Sequence, residues 1–489
     1  MNIVCFKTYL YFGGDKMVTF FTAVVVLLVG FFIYSRVIEK VFQMDSSRTT
    51  PAYAQEDGID YIPMKTWRVY LIQLLNIAGL GPIFGALMGA AWGPKVYLWI
   101  VLGTILGGGI HDYLSGMMSI RNKGGSIPEI SGNYLGNKIR TIMRVFSLVL
   151  LVLIGINFSV GPAALIGTLT PEWMNVNFWL IVILIYYFSA TFLPVDKIIG
   201  MLYPFFGLAL IVMALGIAGS FIINPNHTMP ELTFDALMQP HPKELPVWAM
   251  MFVTVACGAI SGFHATQSPI MARCIKNEKH GRTVFYGAMV TEGIIALIWA
   301  AAGVTFYENT GSLLNALSTI GPGAVVYEIS TTMLGTVGGV LAMIGVIVCP
   351  ITSGDTALRS ARLTISDWFN IEQKSVSKRL MIAVPLLLIT ALGGQLPFEV
   401  MWRYFSWSNQ VLAMIVLWTG AAYLYKNGYP PIASLMAALP AIFMSAVVST
   451  YILQAKEGLN LSTTIAYPIG IIFAAVCFGL YYYYIIYKK

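Results

Sequence analysis

The sequence predicts an all-α, polytopic integral membrane protein, and three observations lead to that prediction. Of the 489 residues, 57% are hydrophobic and only 10% are charged, whereas a soluble domain carries roughly 25% charged residues. The apolar residues form runs of about 20, the length that a helix needs to cross a hydrocarbon core about 30 Å thick. Most Lys and Arg residues stand between these runs. A water-soluble surface cannot be built from this composition.

Hydropathy, flanking charges and Gly or Pro breaks together predict about 13 transmembrane helices. They lie near residues 17–35, 69–92, 95–118, 143–165, 178–194, 198–223, 246–270, 284–307, 333–356, 380–396, 404–425, 431–453 and 464–487.

This span count divides the 29 Lys and Arg residues very unevenly between the two sides of the membrane. Twenty-three fall on one side, and the other side receives only Lys7, Lys16, Lys95, Lys243, Arg403 and Lys456. Because cytoplasmic loops are enriched in Lys and Arg, we expect the N-terminus outside and the C-terminus in the cytoplasm. Five loop positions test this topology. Lys123, Lys279 and Lys374 should be cytoplasmic, and Glu231 and Gly311 should face outside.

Charge and cysteine content exclude two classes of ligand. The net charge is +7, but no basic stripe with interleaved aromatic residues is present, so we expect no nucleic-acid partner. The five cysteines are scattered and never form a Cys-x-x-Cys pair, so neither a disulfide framework nor a zinc site is predicted.

Two of the spans are predicted to unwind inside the membrane. The second contains Gly79, Gly81 and Pro82 about a dozen residues from its start, and the seventh contains a glycine- and serine-rich stretch that ends at Ser268 and Pro269. Each proline is expected to open a restarting half-helix, with Ser268 as the N-cap of the second one. The N-termini of both half-helices would then face the membrane interior.

The two broken spans lie five helices apart and therefore cross the membrane in opposite directions, as in an inverted repeat. This layout resembles the amino-acid-polyamine-organocation superfamily and its LeuT-type 5+5 fold. Residues 66–225 would form the first five-helix repeat and residues 246–425 the second. Residues 1–65 would hold one preceding helix with a cytoplasmic linker, and residues 431–489 two following helices.

Five short motifs resemble those of the carbon starvation protein A (CstA) family of membrane transporters, in the order of that family. They are Asp57-Gly-Ile-Asp60 with Pro63, Ala78-Gly-Leu-Gly-Pro82, Gly109-Ile-His-Asp112, Ser261-Gly-Phe-His264 and Ile351-Thr-Ser-Gly-Asp-Thr-Ala-Leu-Arg359. The resemblance implies secondary active import of peptides or of pyruvate, driven by an ion gradient across the bacterial inner membrane.

Polar residues around the two breaks are the candidate substrate-binding residues, because unwound backbone and half-helix N-termini offer free donors and acceptors. They are Asn76, Gly79, Gly81, Ser261, His264, Thr266, Gln267 and Ser268. Close helix packing is the alternative explanation for glycines that recur every fourth residue from Gly81 to Gly93. His264 could equally be a packing residue.

Candidate coupling residues lie elsewhere on the spans. The LeuT-type resemblance implies a sodium site between Ala78 and the Thr352–Ser353 pair, whereas a proton would need a titrating group such as Asp355 or Glu292. An ion pair of Asp355 with Arg359, four residues on, is the alternative for that carboxylate. His111 and Asp112 could relay protons or pack a helix end. No cofactor is expected, and the coupling ion is H⁺ or Na⁺.

Two other functions compete with transport by a carrier. An intramembrane enzyme could use a histidine as base, but no G-x-S-x-G, H-E-x-x-H or P-loop pattern is present. A channel-like facilitator could also be lined by broken helices. We therefore expect a non-enzymatic carrier whose partners are a small-molecule substrate and the lipid bilayer.

Overall fold

The computed structural model describes residues 17–58, 61–191, 195–223, 229–372 and 375–487, with the side chains of residues 195–204 excluded. Four residues used in the sequence argument lie outside the described residues. They are Lys7, Lys16, Asp60 and Lys374.

The described chain is helical, and we number its main helices in chain order. They are α1 (Val18–Val41), α2 (Thr66–Ile77), α3 (Gly81–Arg121), α4 (Ile127–Leu135), α5 (Asn137–Leu169), α6 (Val176–Ala190), α7 (Val195–Ile223), α8 (His264–Ala272), α9 (Glu278–Phe306), α10 (Thr310–Thr319), α11 (Gly321–Phe369), α12 (Val376–Gly393), α13 (Phe398–Lys426), α14 (Pro431–Gln454) and α15 (Thr463–Tyr487). Short helical segments at Pro51–Ala54, Phe234–Met238, Val247–Met251 and Phe252–Thr254 lie between them.

Nine helices of the described chain are long and apolar enough to cross a membrane. Four of the 13 predicted spans have no such helix of their own, for identifiable reasons. Helices α2 and α6 have only 12 and 15 residues, the seventh span is interrupted, and the polar residues of α13 lower its mean hydropathy. The later part of the second predicted span and the whole third span run together as α3, which bends at Gly93, where φ is +74°.

The membrane helices form an inner and an outer layer. In α3 and α9, 83% of the most apolar stretch is buried inside the protein, against 28% in α1 and 22% in both α12 and α15. Large apolar side chains such as Ile33, Leu388 and Ile471 are 58–62% exposed on the outer helices. An apolar surface of this kind is expected where helices face lipid tails.

The chain segments between helices meet at two opposite ends of the bundle. At one end the buried Glu278 carboxylate binds Arg121 at 2.9 Å and Arg48 at 3.1 Å, and Tyr61 donates to the Lys123 carbonyl at 3.3 Å. Lys279 follows Glu278 directly. This end therefore gathers the segments that precede α2 and α9 and the segment that follows α3.

The opposite end gathers a second set of segments. Glu231 accepts from the backbone N–H of Val18 at 2.8 Å, Trp92 donates to the Leu245 carbonyl at 3.2 Å, and Gln239 donates to Thr310 at 3.4 Å. Gly311 lies in the first turn of α10, beside Thr310. Glu231 and Gly311 thus lie at the end away from Lys123 and Lys279.

Both helices predicted to break do so, but one restarts at an unexpected residue. Helix α2 ends at Ile77 and α3 begins at Gly81 with Pro82 in its first turn, as predicted. The prediction that Ser268 caps a half-helix opened by Pro269 is wrong. Helix α8 already begins at His264, Pro269 lies inside it, and the Ser268 hydroxyl donates to the His264 carbonyl at 2.9 Å.

Candidate functional site

The two breaks touch each other at the centre of the bundle. A methyl group added at Gly81 would lie 2.2 Å from the Cys257 Cβ atom, and one added at Gly85 would lie 3.1 Å from the Thr254 carbonyl oxygen. Only a glycine permits backbones to approach this closely. Because α2 starts at the Glu278 end and the Val247 segment starts at the opposite end, the two broken segments run in opposite directions where they meet.

The second break, residues 255–263, is held open by side chains from other helices. Asn409 of α13 accepts from the Phe263 backbone N–H at 2.7 Å and from the Ser261 hydroxyl at 3.1 Å. Thr104 of α3 donates to the Gly258 carbonyl at 3.1 Å, and Trp99 donates to the Val255 carbonyl at 3.0 Å. These bonds replace the helical ones that the break removes, as a buried backbone requires.

A cluster of four titratable side chains, which we call the histidine–carboxylate cluster, lies beside this break. Asp112 accepts from His111 Nδ1 at 2.7 Å with one oxygen and from His264 Nδ1 at 2.8 Å with the other. On its far side, His264 Nε2 lies 3.2 Å from Glu292 Oε2. All four residues are fully buried. The cluster joins α3 of the first predicted repeat to α8 and α9 of the second.

The geometry of the cluster limits where its protons can be held. An ionised Asp112 only accepts hydrogen bonds, so both of its histidine partners carry a proton on Nδ1. His264 Nε2 then faces a Glu292 oxygen at 3.2 Å. Two unprotonated acceptors at this distance would repel, so this contact requires a proton on either His264 Nε2 or Glu292. Neither Glu292 oxygen has a well-aligned hydrogen-bond partner among the described residues.

The predicted substrate residues are brought together, but several of them use their polar atoms within their own helix. Thr266 donates to the Phe263 carbonyl at 2.7 Å, and Gln267 donates to the Thr266 hydroxyl at 2.9 Å. Asn76 is buried in the last turn of α2, next to the first break. Gly79 packs against Phe158, whose ring would lie 2.5 Å from an added methyl group.

Phe158 lies between the first break and the predicted ion site of α11. Thr352 donates to the Cys349 carbonyl at 2.8 Å, and Ser353 is buried in the next position. A methyl group on Gly354 would meet the Phe158 Cβ atom at 3.5 Å. Phe158 therefore packs against both the first break near Ala78 and the segment that follows Ser353.

Asp355 turns toward arginines. Its carboxylate lies 3.6 Å from Arg359 and borders a small pocket that Arg362 also lines. This ion pair with the fourth residue along the helix is the alternative that the sequence left open.

Sequence reasoning did not single out Asn409 or Gln73. Asn409 accepts the hydrogen bonds that hold the second break open. The sequence feature that points to it is a run of polar residues within an otherwise apolar stretch, Ser406, Ser408, Asn409 and Gln410. Gln73 of α2 is fully buried, and neither of its amide atoms has a hydrogen-bond partner among the described residues. Such a group at membrane depth is costly unless a ligand or water satisfies it.

No group of three or more His, Cys, Asp or Glu side chains in the described part of the chain is arranged to hold a metal ion. The histidine–carboxylate cluster is instead a chain of paired acids and bases. Its arrangement suits the transfer of a proton.

Relatives of the chain are transporters and membrane proteins. An uncharacterized membrane protein of Haemophilus influenzae is 41% identical over 62% of this chain and 94% of its own. The peptide transporter CstA of Bacillus subtilis is 27% identical over 79% of this chain and 81% of its own. The pyruvate/proton symporter BtsT of Escherichia coli is 28% identical over 59% of this chain and 50% of its own.

The fold is shared more widely than the sequence. A crystal structure of the manganese transporter of Eremococcus coleocola superimposes with a TM-score of 0.54 at 13% identity, over 86% of this chain and 94% of that chain. The family model for carbon starvation protein CstA matches residues 15–163 and 163–323. With more than half of its length matched, the chain belongs to the carbon starvation protein CstA family.

Proposed function

We propose that this protein is a proton-coupled secondary transporter that imports a small polar nutrient by alternating access. The names of its relatives support peptides or pyruvate-like carboxylates as the substrate class. The observation that carries the proposal is the buried contact of His264 with Asp112 on one side and Glu292 on the other.

The proposed architecture has 13 spans arranged as a LeuT-like 5+5 inverted repeat, residues 66–225 and 246–425. Two antiparallel broken segments that touch at Gly81 and Cys257 support it. The grouping of the inter-helix segments at two opposite ends of the bundle also supports this architecture. We place the Glu278 end in the cytoplasm of a bacterial inner membrane, which leaves the N-terminus outside.

We place the substrate between the two breaks, next to the cluster. The backbone of residues 78–80 and of residues 255–263 lies outside regular helix there, and Gln73 offers an unsatisfied amide. Free backbone groups and half-helix N-termini attract the carboxylate that peptides and pyruvate share. Thr266 and Ser268 are less suited to this role, because their hydroxyls already bond within the restarting helix.

The cluster couples proton binding to conformation because its members belong to different repeats. Asp112 stands on α3, whereas His264 and Glu292 stand on α8 and α9. A rocking movement of one repeat against the other would lengthen the 2.8 Å contact between Asp112 and His264. The imidazolium would then lose its carboxylate, and its proton would be released on the side then open.

A channel and a sodium-coupled carrier are the outcomes that this proposal must exclude. Purified protein in liposomes should take up labelled pyruvate or a labelled dipeptide saturably, with uptake driven by an inward proton gradient in the absence of Na⁺. His264→Gln should abolish gradient-driven accumulation. Dependence on external Na⁺ would move coupling to Thr352 and Ser353, and unsaturable flux would indicate a channel.

A further inference from the structure

A pocket on the outer layer of the bundle carries more positive charge than its own residues neutralise. It lies between α6, α11 and α12 and is lined by Tyr187, Thr191, Asp355, Arg359 and Arg362 with three apolar residues of α12. Arg379 at the start of α12 reaches the rim of the pocket, because it contacts the carbonyl of the lining residue Thr191. Two guanidinium groups in the lining, and a third at the rim, thus accompany a single carboxylate.

Two of these arginines have structural tasks. Arg359 donates to the Ala190 carbonyl at 3.3 Å, and Arg379 donates to the Thr191 carbonyl at 3.5 Å. Both bonds satisfy carbonyls at the C-terminal end of α6, where cations are favoured. The third, Arg362, has no such bond among the described residues. It is 8% exposed, and its Nη1 atom is buried without a hydrogen-bond partner.

A buried guanidinium nitrogen without an acceptor points to a missing anionic group, since a buried charge needs a partner. The pocket has room of about 20 Å³ for water-sized groups, enough for one or two oxygens of an anionic group and not for a whole peptide. The bulk of the ligand must therefore lie outside the pocket.

The surroundings of the pocket identify that bulk as hydrocarbon. On the helices that form it, Met381 and Leu388 of α12 are each 58% exposed, and Ile185 of α6 is 60% exposed. Acyl chains can lie along these faces while the headgroup reaches the arginines. Basic pockets between transmembrane helices on the cytoplasmic side are known to take anionic lipid headgroups.

We propose that Arg362, with Arg359 and Arg379, binds the phosphate of an anionic phospholipid in the pocket between α6, α11 and α12. The site is separate from the histidine–carboxylate cluster and does not depend on the substrate proposed above. The lipid would fasten the outer helices α6 and α12 to α11, which belongs to the second repeat.

The test compares lipids and variants on the purified, delipidated full-length chain. Phosphatidylglycerol, phosphatidylcholine, inorganic phosphate and pyruvate are each titrated, and binding is followed by thermal unfolding and by native mass spectrometry. Phosphatidylglycerol should raise the unfolding temperature of the wild type, while the other three should not. Arg362→Gln should weaken phosphatidylglycerol binding at least about fivefold, the effect of one basic residue near a lipid surface.

Lys378→Gln is the matched control, because it removes the same charge one residue from Arg379 on a side chain that is half-exposed. It should bind phosphatidylglycerol within twofold of the wild type. Equal binding by Arg362→Gln and the wild type would overturn the proposal, and so would equal stabilisation by phosphatidylcholine. Stabilisation by phosphate or pyruvate as strong as that by phosphatidylglycerol would assign the site to a free anion. If Arg362→Gln does not fold, phosphatidylglycerol binding by Arg379→Gln and the comparison of lipids on the wild type test the proposal instead.

Discussion

Replacing Asp112 by Asn should separate proton coupling from substrate movement. The two side chains have nearly the same shape, but Asn is neutral and one of its two polar atoms is a donor. Asp112 accepts from His111 at 2.7 Å and from His264 at 2.8 Å. An Asn can accept from only one of them, so the other histidine must change tautomer or lose its bond.

The size of the effect follows from this geometry. Two unit charges about 4 Å apart attract by about 4 kcal/mol at an effective dielectric constant of about 20. Asp112→Asn removes that attraction from the His264 imidazolium. The buried donor left without a partner costs about 1–3 kcal/mol of folding free energy in addition. The variant should therefore fold with reduced stability and fail to hold the proton on His264.

The assay is uptake of labelled pyruvate and of a labelled dipeptide into proteoliposomes. Asp112→Asn should lose accumulation driven by a pH gradient but retain exchange of internal for external substrate. Asp355→Asn is the matched control, because Asp355 is also mostly buried but faces Arg359. It should keep accumulation. Wild-type accumulation by Asp112→Asn, with loss in Asp355→Asn, would refute the reasoning and move coupling to α11.

Three further predictions concern the first break, the support of the second break, and the loop residue His241. Gly81→Ala should destabilise the protein by about 1–3 kcal/mol, because its methyl group would overlap Cys257. Gly219→Ala is the matched control: no atom of the described residues lies within 4 Å of the added methyl group, so thermal unfolding should show a neutral or stabilising effect. Asn409→Leu should cost about 1–3 kcal/mol and abolish transport, because the Phe263 N–H and Ser261 hydroxyl lose their acceptor. Burial, aided by Lys243, lowers the pKa of His241 from 6.5 to about 4. The free energy of unfolding should therefore be highest above pH 6.5 and fall by about 1 kcal/mol as the pH drops toward 4. His241→Phe should not show this decrease.

Much of the fold could be predicted because the bilayer restricts what a sequence can do. Apolar length and the Gly79–Pro82 stretch were enough to predict the helices and the first break, since proline and glycine interrupt helical hydrogen bonding wherever they stand. The restart of the second broken helix was misplaced. Pro269 is tolerated inside α8, and Asn409, 146 residues from the Phe263 N–H that it binds, fixes the end of the break.

The sequence singles out the members of the histidine–carboxylate cluster one by one, but it does not predict how they pair. His111, Asp112, His264 and Glu292 were each singled out as polar groups at membrane depth. Their pairing depends on how α3, α8 and α9 pack, because Asp112 and His264 are 152 residues apart. Charge spacing along one helix showed only the local pair of Asp355 and Arg359. Contacts across a fold of this kind leave no local pattern in a single sequence.

The most direct test of proton coupling is to measure proton entry with substrate in the same vesicles. Proteoliposomes loaded with a pH-sensitive dye, free of Na⁺ and held without an imposed gradient, receive pyruvate or a dipeptide outside. The wild type should acidify the interior as substrate enters, and His264→Gln and Glu292→Gln should not. Substrate entry by the wild type without acidification, or acidification that persists in both variants, would contradict the role of the His264–Glu292 proton.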